Sequence, residues 1–467
     1  MTHDTATAPT VRKPWGWAFI ARLHFYIGLL VGPFMLTAAL SGILYALTPQ
    51  IEQALYHQQF YTESDGGTPL PLADQIRAAQ QSLGRDDTPI AVRPAPSPGE
   101  TTRVMFSDPS VGQWEHLAFF IDPVTGEVRG ALPVYGTSGI SAFRITIDKF
   151  HRSLLLGEPG RFYSELAASW LWVAALGGLA LWFKRRRSML RDSAGQRASR
   201  WHNRLGPWAL IGFLFFSATG LTWSKYAGGN IGELRHMFGW QTPTVSTHLD
   251  GVTPAEQGPH AEHADHAEHA GHGMAMMNHA LDPTLFDQVL SAARDEGLEA
   301  GEIEIVPAAG PGSAWKVREV GREWPTEVDE AAIDPTTLTV IDRTRFETFP
   351  LAAKLTRWGV DLHMGVLFGV LNQLALVVFA GALVIMLVLG YAMWWRRRPT
   401  RASTAMTPVT LGQALARAPR PAALAVVVSA VLLGLALPVL GISLVLLILI
   451  DGAVALSQRR QRARALG

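Results

Sequence analysis

The chain has 467 residues, 48% of them hydrophobic and only 17% charged, a balance that places it among polytopic membrane proteins rather than soluble globular chains. Its 40 basic against 39 acidic side chains leave a formal net charge of +1, which identifies no partner and gives no basic footprint for nucleic acid. Cysteine is absent, which excludes thioether-attached haem, cysteine-ligated iron–sulfur clusters, thiolate metal sites and disulfides, so that any redox cofactor has to be held by histidine.

Apolar runs predict about six membrane spans, over 15–47, 164–183, 205–225, 365–395, 421–437 and 439–455. The first carries Arg22 and His24 inside a stretch too long for a signal-peptide core, so it reads as a signal anchor after a short N-terminus, in segment 1–47. Segment 48–163 is long enough for a small α+β domain. In it the spacing of Leu72, Ile76 and Ala79 predicts a helix, IAVRPAPSPGETTRVMFSDP and EHLAFFIDPVTGEVRG predict strands, and Asp122 to Gly126 make a turn. Beyond the second span, connection 184–204 sets Lys184, Arg185, Arg186, Arg187, Arg191, Arg197, Arg200 and Arg204 against one acid, Asp192, and is expected to be cytoplasmic. Segment 226–362 then repeats the earlier order, with a helix in LDPTLFDQVLSAARDEGL and strands in EIEIV, AWKVREV and AAIDPTTLTVIDR, Asp334 standing where Asp122 does. The fourth span lies in 363–395, followed by a linker at 396–420, a two-span hairpin in 421–457 and a basic tail at 458–467. Arg12, Lys13, the Arg396 to Arg398 run and Arg459, Arg460, Arg462 and Arg464 fall on the side of the basic connection. The expectation is a multi-pass membrane protein with both termini cytoplasmic and both long segments extracytoplasmic.

The histidines recur in register. An offset of 178 pairs Arg22 with Arg200, His24 with His202, Gly28 with Gly206 and Gly42 with Gly220; an offset of 212 pairs His151 with His363, Gly157 with Gly369 and Trp182 with Trp394. The chain reads as an internal repeat of helix, α+β domain, helix. A histidine in an apolar helix is unfavourable without a partner, and metal or haem ligation, proton relay and ion pathways are the usual reasons to keep one. His24 and His202 sit near the cytoplasmic ends of their spans, with Gly28 and Gly206 one turn on and on the same face, which removes bulk beside each imidazole. Such a pair can ligate one haem, or it can pack two helices through a hydrogen-bonded ring. His151 and His363 precede the second and fourth spans and offer the same choice at the other face. A cofactor at each face would let electrons cross a hydrocarbon core ~30 Å thick. Arg22, Arg200 and Arg152 are candidate partners for haem propionates, or cations that snorkel. His57 and His236, one off register at an offset of 179, are alternative extracytoplasmic ligands or substrate contacts.

The second segment also carries an insertion at 260–279, where His260, His263, His266, His269 and His272 fall at every third residue and Met274, Met276, Met277 and His279 follow. Imidazole with thioether suits copper, and imidazole alone suits zinc; the bland alternative is a polar linker. Its lack of a counterpart in the first segment makes it an accessory.

RLHFYIGLLVGPF at Arg22, SGILY at Ser41, FIDPVTGEV at Phe120, HRSLLLG at His151, WHNRLGPW at Trp201 and LHMGVLFG at Leu362 together resemble the PepSY-associated transmembrane family, over about residues 15–398. The family includes inner-membrane ferric-siderophore reductases with b-type haem. The resemblance implies two extracytoplasmic PepSY-like domains and turns the histidine reading toward two b-type haems, with a ferric chelate as electron acceptor. No G-x-G-x-x-G lies between a strand and a helix, and the cytoplasmic segments are too short for a flavin or nicotinamide domain, so quinol or a separate cytoplasmic reductase is the expected donor. The competing readings are a cupric reductase or metal-handling protein, and a PepSY-type membrane protein that binds peptides or restrains a peptidase without redox activity.

Overall fold

The computed structural model describes residues 15–64, 66–112, 115–136, 139–189, 197–249, 281–397 and 409–466. The His- and Met-rich stretch 260–279 and the basic residues Arg12, Lys13, Arg191 and Arg398 lie outside the described residues.

Among the described residues five helices are long and apolar enough to cross a membrane: Trp15–Ala46, Glu158–Lys184, Arg197–Thr222, Gly369–Arg396 and Pro438–Gln461. The protein is therefore a multi-pass membrane protein. The fifth expected span falls on Arg420–Ala436, an apolar helix of 17 residues. At 1.5 Å per residue that is ~25 Å, short of a ~30 Å hydrocarbon core. It doubles back onto the last helix where two glycines meet, since a Cβ at Gly441 would lie 2.7 Å from the carbonyl oxygen of Gly434. Two boundaries differ from the sequence reading. The third span begins at Arg197, so Arg197, Arg200 and His202 are helical rather than part of a connecting loop. The helix that carries His363 ends at Met364, before the fourth span opens at Gly369.

The described residues form two compact units. One is drawn from Met1–Leu40, Glu158–Gly228 and Val378–Gly467. Its helices meet through small and polar residues, the way lipid-embedded helices gain contact without a hydrophobic driving force between them. Ser217 donates to the carbonyl of Ala168 at 2.6 Å and Trp170 to the Ser443 hydroxyl at 2.8 Å, while Gly220 lies against Ala168 and Gly212 against Phe379.

The other unit, Ser41–Gly157 with Gly229–Val377, is built on one antiparallel sheet of nine strands. The first inter-span segment supplies β1 (Ala91–Arg93), β2 (Thr102–Phe106), β3 (Glu115–Ile121), β4 (Val128–Tyr135) and β5 (Ile140–Ser141). The second supplies β6 (Ile303–Val306), β7 (Trp315–Glu319), β8 (Glu330–Ile333) and β9 (Val340–Thr344). The order β5-β4-β3-β2-β1-β6-β7-β8-β9 joins the segments through β1 and β6, at Val92 opposite Ile305. Two separate domains were expected from the sequence; pairing of the two free strand edges makes one sheet of them. Helices Leu72–Leu83 and Thr284–Asp295 lie on one face, over a shared core that includes Ile76, Val104, Phe119, Ile305, Trp315 and Ile333. Alternation in the strands explains the choice of face: Val104 and Phe106 enter this core while Met105, between them, joins Ala118 and Phe120 on the opposite side.

The seam is also electrostatic. Glu304 on β6 accepts from Arg93 of β1 at 2.7 Å and from Arg318 of β7 at 2.8 Å, and all three are buried. Burial would raise the Glu304 carboxyl, but the two guanidiniums outweigh it and hold the group at about 2. The two predicted turns are built alike: Asp122 accepts from the backbone of Val124 and Thr125, Asp334 from that of Thr336, and each follows a bulge in its hairpin.

Candidate functional site

His24 lies in helix Trp15–Tyr26, which passes directly into a π-helical turn, Ile27–Val31. Such turns are rare and cluster at functional sites. Its ring faces that of His202, with centroids 6.4 Å apart and planes at 80°. Each ring is held from behind by a backbone carbonyl of another span, the second for His24 and the fourth for His202: Nδ1 of His24 lies 3.0 Å from the oxygen of Ala174, and Nδ1 of His202 lies 3.0 Å from that of Met386. A carbonyl can only accept, so each Nδ1 carries the proton and each Nε2 keeps its lone pair. That is the tautomer of a metal ligand, with its other nitrogen donating to a backbone group.

The glycine beside His24 is one the sequence reading passed over. A Cβ on Gly178 would lie 3.1 Å from Cε1 of His24, whereas one on Gly28 would meet nothing within 4 Å and one on Gly206 would meet the Met386 side chain at 3.4 Å. Neither Gly28 nor Gly206 adjoins its histidine ring, and room for the His24 ring comes from the Gly177-Gly178 pair of the second span. Consecutive glycines inside an apolar run were the available signal.

The second pair has the same spacing. His151, in the last turn of helix Ala142–Ser153, and His363, in the last turn of Leu351–Met364, have ring centroids 6.4 Å apart at 49°. His151 is hydrogen-bonded through Nδ1 to the Ser41 hydroxyl at 2.9 Å and stacks on Tyr45 at 6.5 Å and 27°. Gly42 completes the seat, since a Cβ there would lie 3.3 Å from Cε1 of His151. Burial, with the neighbouring His151 ring, holds His363 down to about 3, so it is neutral and able to coordinate at neutral pH. Both helices end in left-handed backbone: Leu154, Leu155 and Gly157 after His151, Gly365 and Gly369 after His363. Two consecutive leucines at positive φ are strained, and such strain gathers at functional sites.

Arg22, Arg152 and Arg200 each have different surroundings. Arg22 donates to the Tyr26 hydroxyl at 2.8 Å, which in turn donates to Asp451 at 2.8 Å. Asp451 also accepts from the backbone of Leu411 and Gly412, each at 2.9 Å. This buried carboxylate, the single acid in the last apolar run before its basic end, was missed although intramembrane acids are functional candidates by default. Arg152 is ion-paired with Asp148 at 3.5 Å, and Arg200 lines a shallow cleft with Arg197, Trp201 and Arg204. The structure instead puts Arg144 and Arg322 at Met364, next to His363. His57 and His236 are both exposed, His57 against Tyr61 at 5.0 Å, and neither is gathered into a histidine pair. Among the described residues no group of three or more His, Cys, Asp or Glu is arranged to hold a metal ion.

A family model described as the PepSY-associated TM region matches residues 21–397, most of the chain, and ends before the last two apolar helices. No curated protein matches the chain significantly.

Proposed function

We propose that this chain, which belongs to the family of the PepSY-associated TM region, is an inner-membrane b-type dihaem reductase that moves electrons outward to a ferric chelate. The observation that carries the reading is the His24–His202 pair, 6.4 Å between centroids with both Nδ1 groups committed to carbonyls. Two rings this close, each with Nε2 free, are the residues that would hold one haem iron between them. Two imidazoles without a third protein ligand suit a metal whose remaining positions a macrocycle fills, rather than a bare cation.

Haem, when bound, supplies a one-electron couple. His24 and His202 hold one group through Nε2, with the carbonyls of Ala174 and Met386 fixing their tautomer and orientation. His151 and His363 hold the second, with Ser41 as the orienting group of His151. The basic connection argues for a cytoplasmic side at Lys184 to Arg204, both termini on that side, and the sheet unit on the opposite one, where it meets the oxidant. Quinol or a cytoplasmic reductase supplies the electrons. Each electron converts Fe(III) to Fe(II) in the chelate, and iron is released because Fe(II) binds hard oxygen chelators less tightly. The segment 260–279 adds an accessory Cu or Zn site on the same side.

A pyridine haemochrome assay with protein quantitation tests the reading. Two haems b per chain are expected, one low-spin signal lost in both His24→Ala and His202→Ala and the other in both His151→Ala and His363→Ala. In oriented proteoliposomes, prereduced haem should be reoxidised by a ferric chelate given to the sheet side only. A colourless protein from haem-replete cells would return the chain to the peptide-binding class.

A further inference from the structure

Two guanidiniums converge on the residue that follows His363. Arg144 Nη2 donates to the carbonyl of Met364 at 3.4 Å, and Arg322 Nη1 reaches the Met364 sulfur at 3.3 Å. Their charges are answered differently. Arg322 is paired with Asp361 at 3.1 Å, a fully buried carboxylate that also faces Arg357 at 3.0 Å. Arg144 is 7% exposed, its Nε has no hydrogen-bond partner, and it forms no ion pair among the described residues. The nearby Glu52 carboxylate accepts from the backbone N–H of Arg144 at 3.1 Å and attracts the guanidinium from a distance, without an ion-pair contact. The Arg144 guanidinium lies 4.6 Å over the Tyr45 ring, the ring that stacks on His151.

A guanidinium stays ionised in a protein, and its planar fork of donors matches a carboxylate. Burying one with no anion in direct contact is unfavourable, so a buried arginine with an unsatisfied Nε beside a ligand pair points to an anion that the ligand brings. Arg152 does not present this feature, because Asp148 already balances it.

We propose that Arg144, with Arg322 beside it, binds a carboxylate of the group held by His151 and His363. The proposal rests on the haem reading above. Two sources share this chemistry: the carboxylates of the macrocycle, and a carboxylate of a ferric chelate that docks against it.

The test uses the full-length protein in detergent, with Arg144→Gln, Arg144→Lys and, as a control on a remote exposed pair, Arg77→Gln. The His24–His202 signal reports folding in every variant. If the macrocycle supplies the carboxylate, Arg144→Gln should release the second haem to excess apomyoglobin at least tenfold faster. Loss of a nearby positive charge should also favour the oxidised haem, and a tenfold change in its reduced-to-oxidised ratio is 59 mV for a one-electron couple. Arg144→Lys, which keeps the charge but not the fork, should fall between. If the chelate supplies it, haem release stays unchanged and the KM for ferric citrate rises in Arg144→Gln. Wild-type protein with two haems, and Arg144→Gln with unaltered release, potential and KM, would overturn this proposal alone. Wild-type protein without haem would overturn the haem reading and this proposal with it.

Discussion

Gly178 lies against His24, so close that a Cβ there would stand 3.1 Å from Cε1 of the imidazole and 3.9 Å from Nε2. Gly178→Ala should therefore displace the ring and weaken or broaden the low-spin signal of the first haem, while Gly28→Ala, which points into open space, should leave it intact. Optical and EPR spectra of the two variants check this; equal spectra would detach His24 from the haem.

Ser41 is hydrogen-bonded to Nδ1 of His151 at 2.9 Å. As the group that orients a ligand, it should be worth ~10–100-fold in affinity of the second site. Ser41→Ala is expected to lower occupancy of that haem alone, measured by haem titration of the stripped protein, and Ser41→Thr to retain it.

Glu304, between Arg93 and Arg318, has its carboxyl lowered from 4.5 to about 2 in the folded protein. A depressed carboxyl stabilises the fold above its unfolded value, and the contribution is lost as pH falls through the folded one. The sheet unit should hold its full stability above about pH 4.5 and lose it progressively toward pH 2, by roughly 3 kcal/mol for this group. Glu304→Gln leaves two buried guanidiniums without their anion and should cost about 3–5 kcal/mol at neutral pH. Melting followed by tryptophan fluorescence over this pH range reads both effects.

Asp287 serves a helix in the other inter-span segment. Helix Leu72–Leu83 starts after Pro71, which has no side-chain acceptor, and Asp287 accepts from the N–H of Leu72 at 2.7 Å and of Ala73 at 2.9 Å. Asp287→Ala should destabilise the sheet unit by about 1–2 kcal/mol, the range of a lost N-cap. Hydrogen exchange should rise in the first turn of Leu72–Leu83, a helix distant in sequence from the substitution. Exchange raised only around position 287 would deny the cap.

Deleting residues 260–279 should leave haem content and melting temperature unchanged and remove most Cu or Zn binding from the protein. Isothermal titration with each metal distinguishes an accessory site from a linker, for which the titration would not change.

Local chemistry made much of this protein legible in advance. Apolar runs marked the spans, because a segment in lipid must satisfy its own backbone and shield it with apolar side chains. Period-two alternation and the Asp122 and Asp334 turns located strands, and register alone paired His24 with His202 and His151 with His363, each pair meeting at 6.4 Å. What the sequence could not decide was who meets whom. Hydrophobic patterning says that a strand face is buried but carries no record of its partner, so the joining of β1 to β6 and the Arg93–Glu304–Arg318 seam belong to the tertiary structure. The same holds at the site. Arg22, Arg152 and Arg200 looked like anion partners by proximity along the chain, yet Arg22 and Arg152 are engaged by Tyr26 and Asp148 and Arg200 lies in a cleft of other arginines. Arg144, seven residues from His151 on its own helix, is buried beside the second pair with its Nε unsatisfied and no ion pair among the described residues. Proximity in sequence sets which residues can meet, and only the packing of distant segments decides which charges are already balanced when they do.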